Sequence, residues 1–166
     1  EGGGPVVRVA EFGRGMRRGE EEAVDGLLRR AFGRADEAQL VLALRKSGAM
    51  AGEMVLPFEG GVVGYYALSA MKGPKGWLCL APVAIDPDWQ GRGHGRRMVK
   101  QLVAWAEASK SSICVLGDVD FYKNCGFSPI TDVELTTPYS ADHTLVAGTG
   151  PLKGAVALEY PKAFGS

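Results

Sequence analysis

No charge of one sign prevails in this chain of 166 residues: 19 Lys and Arg stand against 19 Asp and Glu, a formal net charge of +0. A global basic field that gathers nucleic acid or anionic membrane is therefore absent, and any charge-based recognition has to be local. Cysteine is scarce as well. Cys79, Cys114 and Cys125 are odd in number and lack metal-ligand spacing, which argues against a disulfide framework and against a zinc site. Cys79 and Cys114 fall in apolar runs and read as buried thiols of a reduced, cytoplasmic compartment. No apolar run is long enough to span a bilayer, and nothing near Glu1 resembles a signal peptide. The opening EGGG has no initiator Met and reads as a scar or a disordered, processed end, so residues 1–5 are set aside and one domain is assigned to residues 6–164. Repeats, low-complexity segments and linkers are also missing. What remains is one stretch long enough to bury a real core.

Periodicity supplies the elements. Val6 to Phe12 reads as a strand. Val24, Leu27, Leu28, Ala31 and Phe32 fall on one helical face, with Glu20 to Glu22 at its start, Arg29 and Arg30 at its end and Gly33 as the stop. A second helix is expected from Asp36 to Lys46. EMVLPF and VVGYYALSAM flank a Gly-containing turn and read as a hairpin, with Pro57 at an edge or bulge. VVGYYAL reads as core or as a homodimer interface, and the residues leave the two open. GWLCLAPVAI is continuous in its hydrophobicity, as in a strand covered on both faces. A helix to about Lys110 follows, with Met98, Val99, Leu102, Val103, Trp105 and Ala106 as its buried face. Then come a short strand in SICVLG, a short helix from Asp120 to Asn124, and β-like runs near Val133–Thr137 and Ala155–Tyr160. This order describes a mixed α/β domain with one βαβ unit at its centre.

Two features of the βαβ unit point to a ligand. The first is QGRGHGRR, Gln90 to Arg97, which places three glycines just past a buried strand and at a helix N-terminus. Glycines let backbone N–H groups approach a ligand, and the helix start favours an anion. Arg92, His94, Arg96 and Arg97 add local positive charge. No Lys-Ser/Thr follows, which excludes a nucleoside-triphosphate loop. Gly91, Gly93 and Gly95 alternate, which is one place short of the dinucleotide fingerprint. The second feature is Pro82, inside an otherwise central strand. It cannot donate to the ladder and implies a bulge or splaying, which would leave backbone groups from Val83 to Ile85 open to an extended amide-bearing ligand.

LAPVAIDPDWQGRGHGRRMVKQLV resembles the acetyl-CoA motif of the GNAT superfamily, Gln/Arg-x-x-Gly-x-Gly/Ala, with Gln90, Gly93 and Gly95 in its fixed positions. VLGDVDFYKNCGF resembles the motif that follows it, and the ending LKGAVALEYPKAF is similar to one subgroup of small bacterial acetyltransferases. The resemblance implies a GNAT-like fold of the α/β (α+β) class: a mixed, mostly antiparallel sheet with a central splayed parallel strand pair, flanked by helices. It implies transfer of an acetyl group from acetyl-CoA to a primary amine by direct attack in a ternary complex, with no metal and neither nucleic acid nor membrane as partner. A catalytically silent acyl-CoA-binding module is the alternative.

The resemblance also implies site roles. Backbone groups of Val83 and Ile85 bind the pantetheine arm, and N–H groups near Val83 and Ala84 serve the thioester oxygen. Gln90, Gly91, Arg92, Gly93, His94, Gly95 and Arg96 hold the diphosphate, with His94 exposed and offering its backbone. Tyr122 returns a proton to the departing thiolate. Many relatives carry a glutamate base where this chain has Cys79. The base is then sought at Glu53, at Asp118 or in water on backbone carbonyls, with a solvated strand end as the structural alternative for Glu53 and an N-cap for Asp118. Glu53, Asp118, Asp120 and Asp132 suggest a cationic amine.

Overall fold

The computed structural model describes residues 13–150 and 152–165. The strand expected at Val6 to Phe12 lies outside them. Chain order is β1 (Arg14–Gly15), α1 (Glu21–Phe32), α2 (Asp36–Ser47), β2 (Met50–Phe58), β3 (Gly61–Ala70), β4 (Leu78–Ile85), α3 (His94–Ser109), β5 (Ile113–Leu116), α4 (Val119–Cys125), β6 (Ser128–Pro129), β7 (Glu134–Thr136), β8 (Thr144–Ala147) and β9 (Ala155–Ala157). A seven-stranded sheet runs β1-β2-β3-β4-β5-β8-β6, and β7 and β9 form a small parallel pair of their own. Within the large sheet only β4 and β5 run parallel, joined through α3. The expected mixed sheet with one βαβ unit is therefore present.

Strand alternation divides the core in two. Tyr65 and Ala67 of β3 face α1 and α2, where they join Val24, Leu27, Leu28, Ala38 and Val41. Tyr66 and Leu68 face the opposite way and join Met98, Val99, Leu102 and Val103 of α3. The aromatic strand VVGYYAL is thus core of the single chain. Further along the α1–α2 side, β9 and the C-terminal segment cover Cys79 and Cys114 with Val156, Leu158 and Tyr160. Trp105 departs from expectation: at 47% exposure it leaves the buried face of α3. It sits at the edge of the apolar stripe, where its ring borders a small pocket with Met54, Tyr66 and Leu68.

Both prolines act as their positions suggest. The β2–β3 register shifts between Leu56 and Pro57. The β3–β4 register carries one extra β4 residue between Leu80 and Val83, opposite Leu68 and Tyr66. The last third was only partly legible. Thr144–Ala147 is a fully buried strand wedged between β5 and β6, and four residues of TLVA give too short a pattern to separate a strand from a loop.

Two polar clasps fix the first layer. Arg14 meets Glu20 at 2.7 Å and ties β1 to the start of α1. Glu53 of β2 takes a 2.8 Å ion pair from Arg45 of α2 and a 2.6 Å hydrogen bond from the Tyr65 hydroxyl. Replacing Arg45 with Met leaves the Glu53 carboxylate largely buried without its cation, and should cost about 3 kcal/mol in urea unfolding; a loss below about 0.5 kcal/mol would show the pair is a surface contact. Arg14 pulls the Glu20 carboxyl down to about 2 from 4.5. The stability it contributes is complete above pH 4.5 and is lost as pH falls toward 2. Glu20→Gln should therefore destabilise by about 1 kcal/mol at neutral pH, solvent screening included, and match the wild type below pH 2. A constant difference across that window would contradict this.

Candidate cofactor and catalytic cleft

The parallel ladder between β4 and β5 is short: Leu78 pairs Ile113, Cys79 pairs Cys114, and no pairing follows. Beyond that point β4 continues on β3 alone. The hydrogen bond from the Asp86 N–H to the Val63 carbonyl, 2.8 Å, fixes the phase of the β3–β4 ladder. With Tyr65 opposite Ala84 and Tyr66 opposite Val83, Ala84 is a hydrogen-bonded pair member whose N–H and C=O turn to β3. Val83 and Ile85 are the alternate residues, and their backbone groups turn to the open side. This supports the expectation for Val83 and Ile85 and corrects it for Ala84, whose backbone is committed and whose side chain is buried beneath α1.

α3 begins at the mouth of this gap. Gly93 is its N-cap in a left-handed conformation, φ 81°, and Gly91 before it has φ 77°. Both conformations favour glycine over any residue with a Cβ. The first helical bond runs from the Arg97 N–H to the Gly93 carbonyl, 3.0 Å. The N–H groups of His94, Gly95 and Arg96 have no helical acceptor and point out of the helix start, where the dipole carries about half a positive charge. A cleft of about 390 Å3 collects Val83, Ile85, Gln90, Gly91, Gly93 to Arg96, Phe121 and Tyr122.

The loop leading into α3 is held by aromatic packing that the sequence did not reveal. Trp89 is buried against Phe58, ring centroids 4.5 Å apart, and against His94 at 5.4 Å, while Arg92 lies 5.3 Å over its ring. His94 is therefore buried rather than exposed. Its Nδ1 lies 2.9 Å from the Arg97 guanidinium, and burial with the Arg97 and Arg92 charges pushes its pKa down, so the neutral ring accepts that bond. Gln90 folds back, its side-chain amide donating to the Ile85 carbonyl at 3.0 Å, and so pins the loop to the end of β4.

Across the cleft, α4 presents Tyr122. Asp118 caps α4 by accepting from the Phe121 N–H at 2.9 Å, as its structural alternative anticipated. The Tyr122 ring packs edge-on to Phe121 and Phe127 and lies so close to Gly117 that a Cβ there would stand 2.8 Å from it. Burial, and then Cys125 and Asp118, push the Tyr122 phenol up to about 12.

The structure does not bring the remaining candidates into this cleft. Glu53 is neither a solvated strand end nor a lining residue: it is locked between Arg45 and Tyr65. Asp132 lies in a separate groove with Glu107 and Gly148. Glu53 and Asp132 thus lie apart from Asp118 and Asp120, which share the start of α4. The Cys79 thiol is buried, and its hydrogen bond with Cys114 together with burial pushes its pKa up, unlike that of a base. Among the described residues, no three His, Cys, Asp or Glu gather as metal ligands, and no helix is long and apolar enough to cross a membrane.

The family profile described as an acetyltransferase (GNAT) domain matches residues 51–129. The uncharacterized N-acetyltransferase YhbS of Escherichia coli K12 is 36% identical over 110 residues, covering 63% of this chain and 65% of that protein. The uncharacterized N-acetyltransferase YjhQ of the same strain is 31% identical over 119 residues, 66% of each. The chain's matched stretch thus spans just under two thirds of these curated relatives. Among solved structures, the E. coli GNAT family N-acetyltransferase YhbS in complex with CoA superposes with a TM-score of 0.82 at 26% identity, over 100% of this chain and 97% of that one. A Brucella melitensis GNAT family acetyltransferase in complex with acetyl-CoA shares the fold, with a TM-score of 0.76 at 24% identity, over 92% and 97%. The sequence motifs, the parted β4–β5 pair and these likenesses agree: residues 51–129 match the GNAT acetyltransferase domain, and the chain is similar in fold to GNAT family acetyltransferases.

Proposed function

We propose that the protein moves an acetyl group from acetyl-CoA to a primary amine, by direct attack while both substrates are bound. The observation that carries this reading is the continuity of unpaired backbone groups. The N–H and C=O of Val83 and the N–H of Ile85 face the gap on one side, the Ile85 carbonyl being taken by the Gln90 amide, and they lead straight to the free N–H groups of the α3 start. An extended, amide-bearing arm that ends in a diphosphate matches that order of donors and acceptors. The solved relatives carry CoA or acetyl-CoA as bound ligands.

Each residue then has a limited task. The amides from Gly91 to Arg96 hold the diphosphate, with Arg92 and Arg96 adding charge. Gln90 and Trp89 keep the loop in place. Val83 and Ile85 align the arm as an added strand would be aligned. The Val83 N–H is the donor available to the thioester oxygen as negative charge develops there.

Tyr122 faces the leaving sulfur. An unperturbed tyrosine phenol has a pKa of about 10. At about 12 it is a weaker acid than a thiol near 8.5, so complete transfer to a free thiolate would be uphill by about 5 kcal/mol. Tyr122 therefore stabilises the departing sulfur by a hydrogen bond, and its proton moves only as the C–S bond breaks. Among the described residues no carboxylate lines the cleft, so we assign proton removal from the amine to water held on backbone carbonyls. That same lack is the observation that favours the second reading, a binding module without turnover.

Tyr122→Phe should leave CoA affinity unchanged and lower turnover about 100-fold, measured as CoA release over a panel of amines. Unchanged turnover would remove the role, and tight acetyl-CoA binding with no transfer to any amine would select the binding module. Gly93→Val places a β-branched residue at φ 81° and should weaken CoA binding about tenfold while the circular dichroism stays native. Native affinity in that variant would contradict the diphosphate assignment.

A further inference from the structure

A second pocket opens between α3 and the first strands of the large sheet. Its volume is about 240 Å3, and it shares no residue with the cleft that ends at Tyr122. Met54 of β2, Leu68 of β3 and Met98 and Leu102 of α3 form its walls, and the half-exposed Trp105 stands at its rim. Among the described residues that line it, none is charged. The space exists because the chain entering β1 has no side chain there. Gly13 lines the pocket, yet its backbone is outside the left-handed region, so conformation does not call for glycine. A Cβ at Gly13 would meet Met54 Cγ at 3.6 Å, an ordinary contact. A longer side chain at this position would take up space that is now open.

One polar group distinguishes this pocket from a packing gap. Tyr66 is 4% exposed, and its ring lies on the α3 side of the sheet, where it lines the pocket. Buried tyrosine hydroxyls normally find a partner. That of Tyr65 donates to Glu53, and that of Tyr139 to the Phe164 carbonyl. Among the described residues the Tyr66 hydroxyl has no such partner. The unpartnered hydroxyls sealed away from solvent are those of Ser69 and Tyr160. The Tyr66 hydroxyl is not sealed, so it reaches the open space that its ring lines. Burial holds its pKa above the usual phenol value, so it is a donor at neutral pH.

These features describe one class of ligand. The volume exceeds the roughly 150 Å3 of an apolar cavity that takes up a benzene ring. The thioethers of Met54 and Met98 and the indole of Trp105 favour an aromatic ring. An uncharged lining disfavours an ion, which would lose its hydration and find no partner. We propose that the pocket binds an uncharged, ring-sized aromatic molecule whose hydrogen-bond acceptor is met by the Tyr66 hydroxyl. The site stands behind the strand edge assigned to the pantetheine arm. Tyr66 lies opposite Val83 in the β3–β4 ladder, and Met98 packs against Gly64, which lies opposite Ile85.

Acetophenone, ethylbenzene and benzoate are close in size and differ in acceptor and charge. Each is titrated into the full, isotope-labelled chain, and the indole N–H signals of Trp77, Trp89 and Trp105 are followed by NMR. Acetophenone should move the Trp105 signal most, with a Kd below about 1 mM, and benzoate should bind at least about tenfold more weakly. Tyr66→Phe should weaken acetophenone about fivefold and leave ethylbenzene within about twofold of wild type. Its midpoint of urea unfolding should not fall, because the hydroxyl it removes is unbonded. Gly13→Leu should abolish the response to both neutral probes while the circular dichroism stays native. Several results overturn the proposal: no Trp105 response to acetophenone up to about 10 mM, as when a second copy of the chain fills the pocket; benzoate binding as tightly as acetophenone; or equal acetophenone affinity in wild type and Tyr66→Phe. A loss of stability in Tyr66→Phe overturns it too, since the hydroxyl would then already have a partner.

Discussion

Everything in the cleft depends on the early parting of β4 from β5. The two strands pair only at Leu78–Ile113 and Cys79–Cys114, and Pro82, which has no N–H to donate, lies three residues beyond. The bulge around it keeps β4 on β3 while freeing the opposite edge. β5 does not suffer from the separation, because it pairs along its whole length with β8. The sheet thus opens at one seam without exposing an edge strand elsewhere. The helix that crosses from one strand to the other must then start at the mouth of that seam, since α3 is fixed to the sheet by Met98, Val99, Leu102 and Val103.

The electrostatics of a chain with no net charge are correspondingly local. The start of α3 gathers free N–H groups and cations within two turns, and an aromatic cluster under the loop holds them there without neutralising them. Trp89 packs on Phe58 and His94, and the His94 pKa is pushed down, so the ring contacts hold the loop while its positive charge comes from the arginines around it. Opposite, Tyr122 is made a weak acid by its burial, which suits a hydrogen-bond donor that keeps its proton until bond cleavage requires it. The carboxylates that a sequence reading places near the reaction are occupied elsewhere: Glu53 joins α2 to the sheet, and Asp118 caps α4.

How much was legible follows from the range of the interactions involved. Helix faces, stops, the β2–β3 hairpin and the two proline bulges are local features, and the sequence carried them within a residue or two. The glycine run could be read as an anion site because left-handed φ at Gly91 and Gly93 is itself a local demand. Ala84 was misjudged because which strand residue turns to the gap depends on register with β3, a long-range fact. His94 and Trp105 were misplaced for a similar reason: Phe58 and Trp89 bury the histidine, and the stripe edge exposes the tryptophan. The offset between the bland and functional readings of Glu53 could be settled only by finding Arg45 and Tyr65 around it.

The account's central claim is that the open edge of β4 and the start of α3 form one ligand track. Amide chemical-shift mapping of the labelled protein during titration with CoA tests it most directly. The account predicts the largest shifts at Val83, Ile85 and Gly91 through Arg96, with Ala84 moving less than its two neighbours because its N–H faces β3. Shifts confined to surfaces away from β4 and α3, or none at saturating CoA, would contradict it.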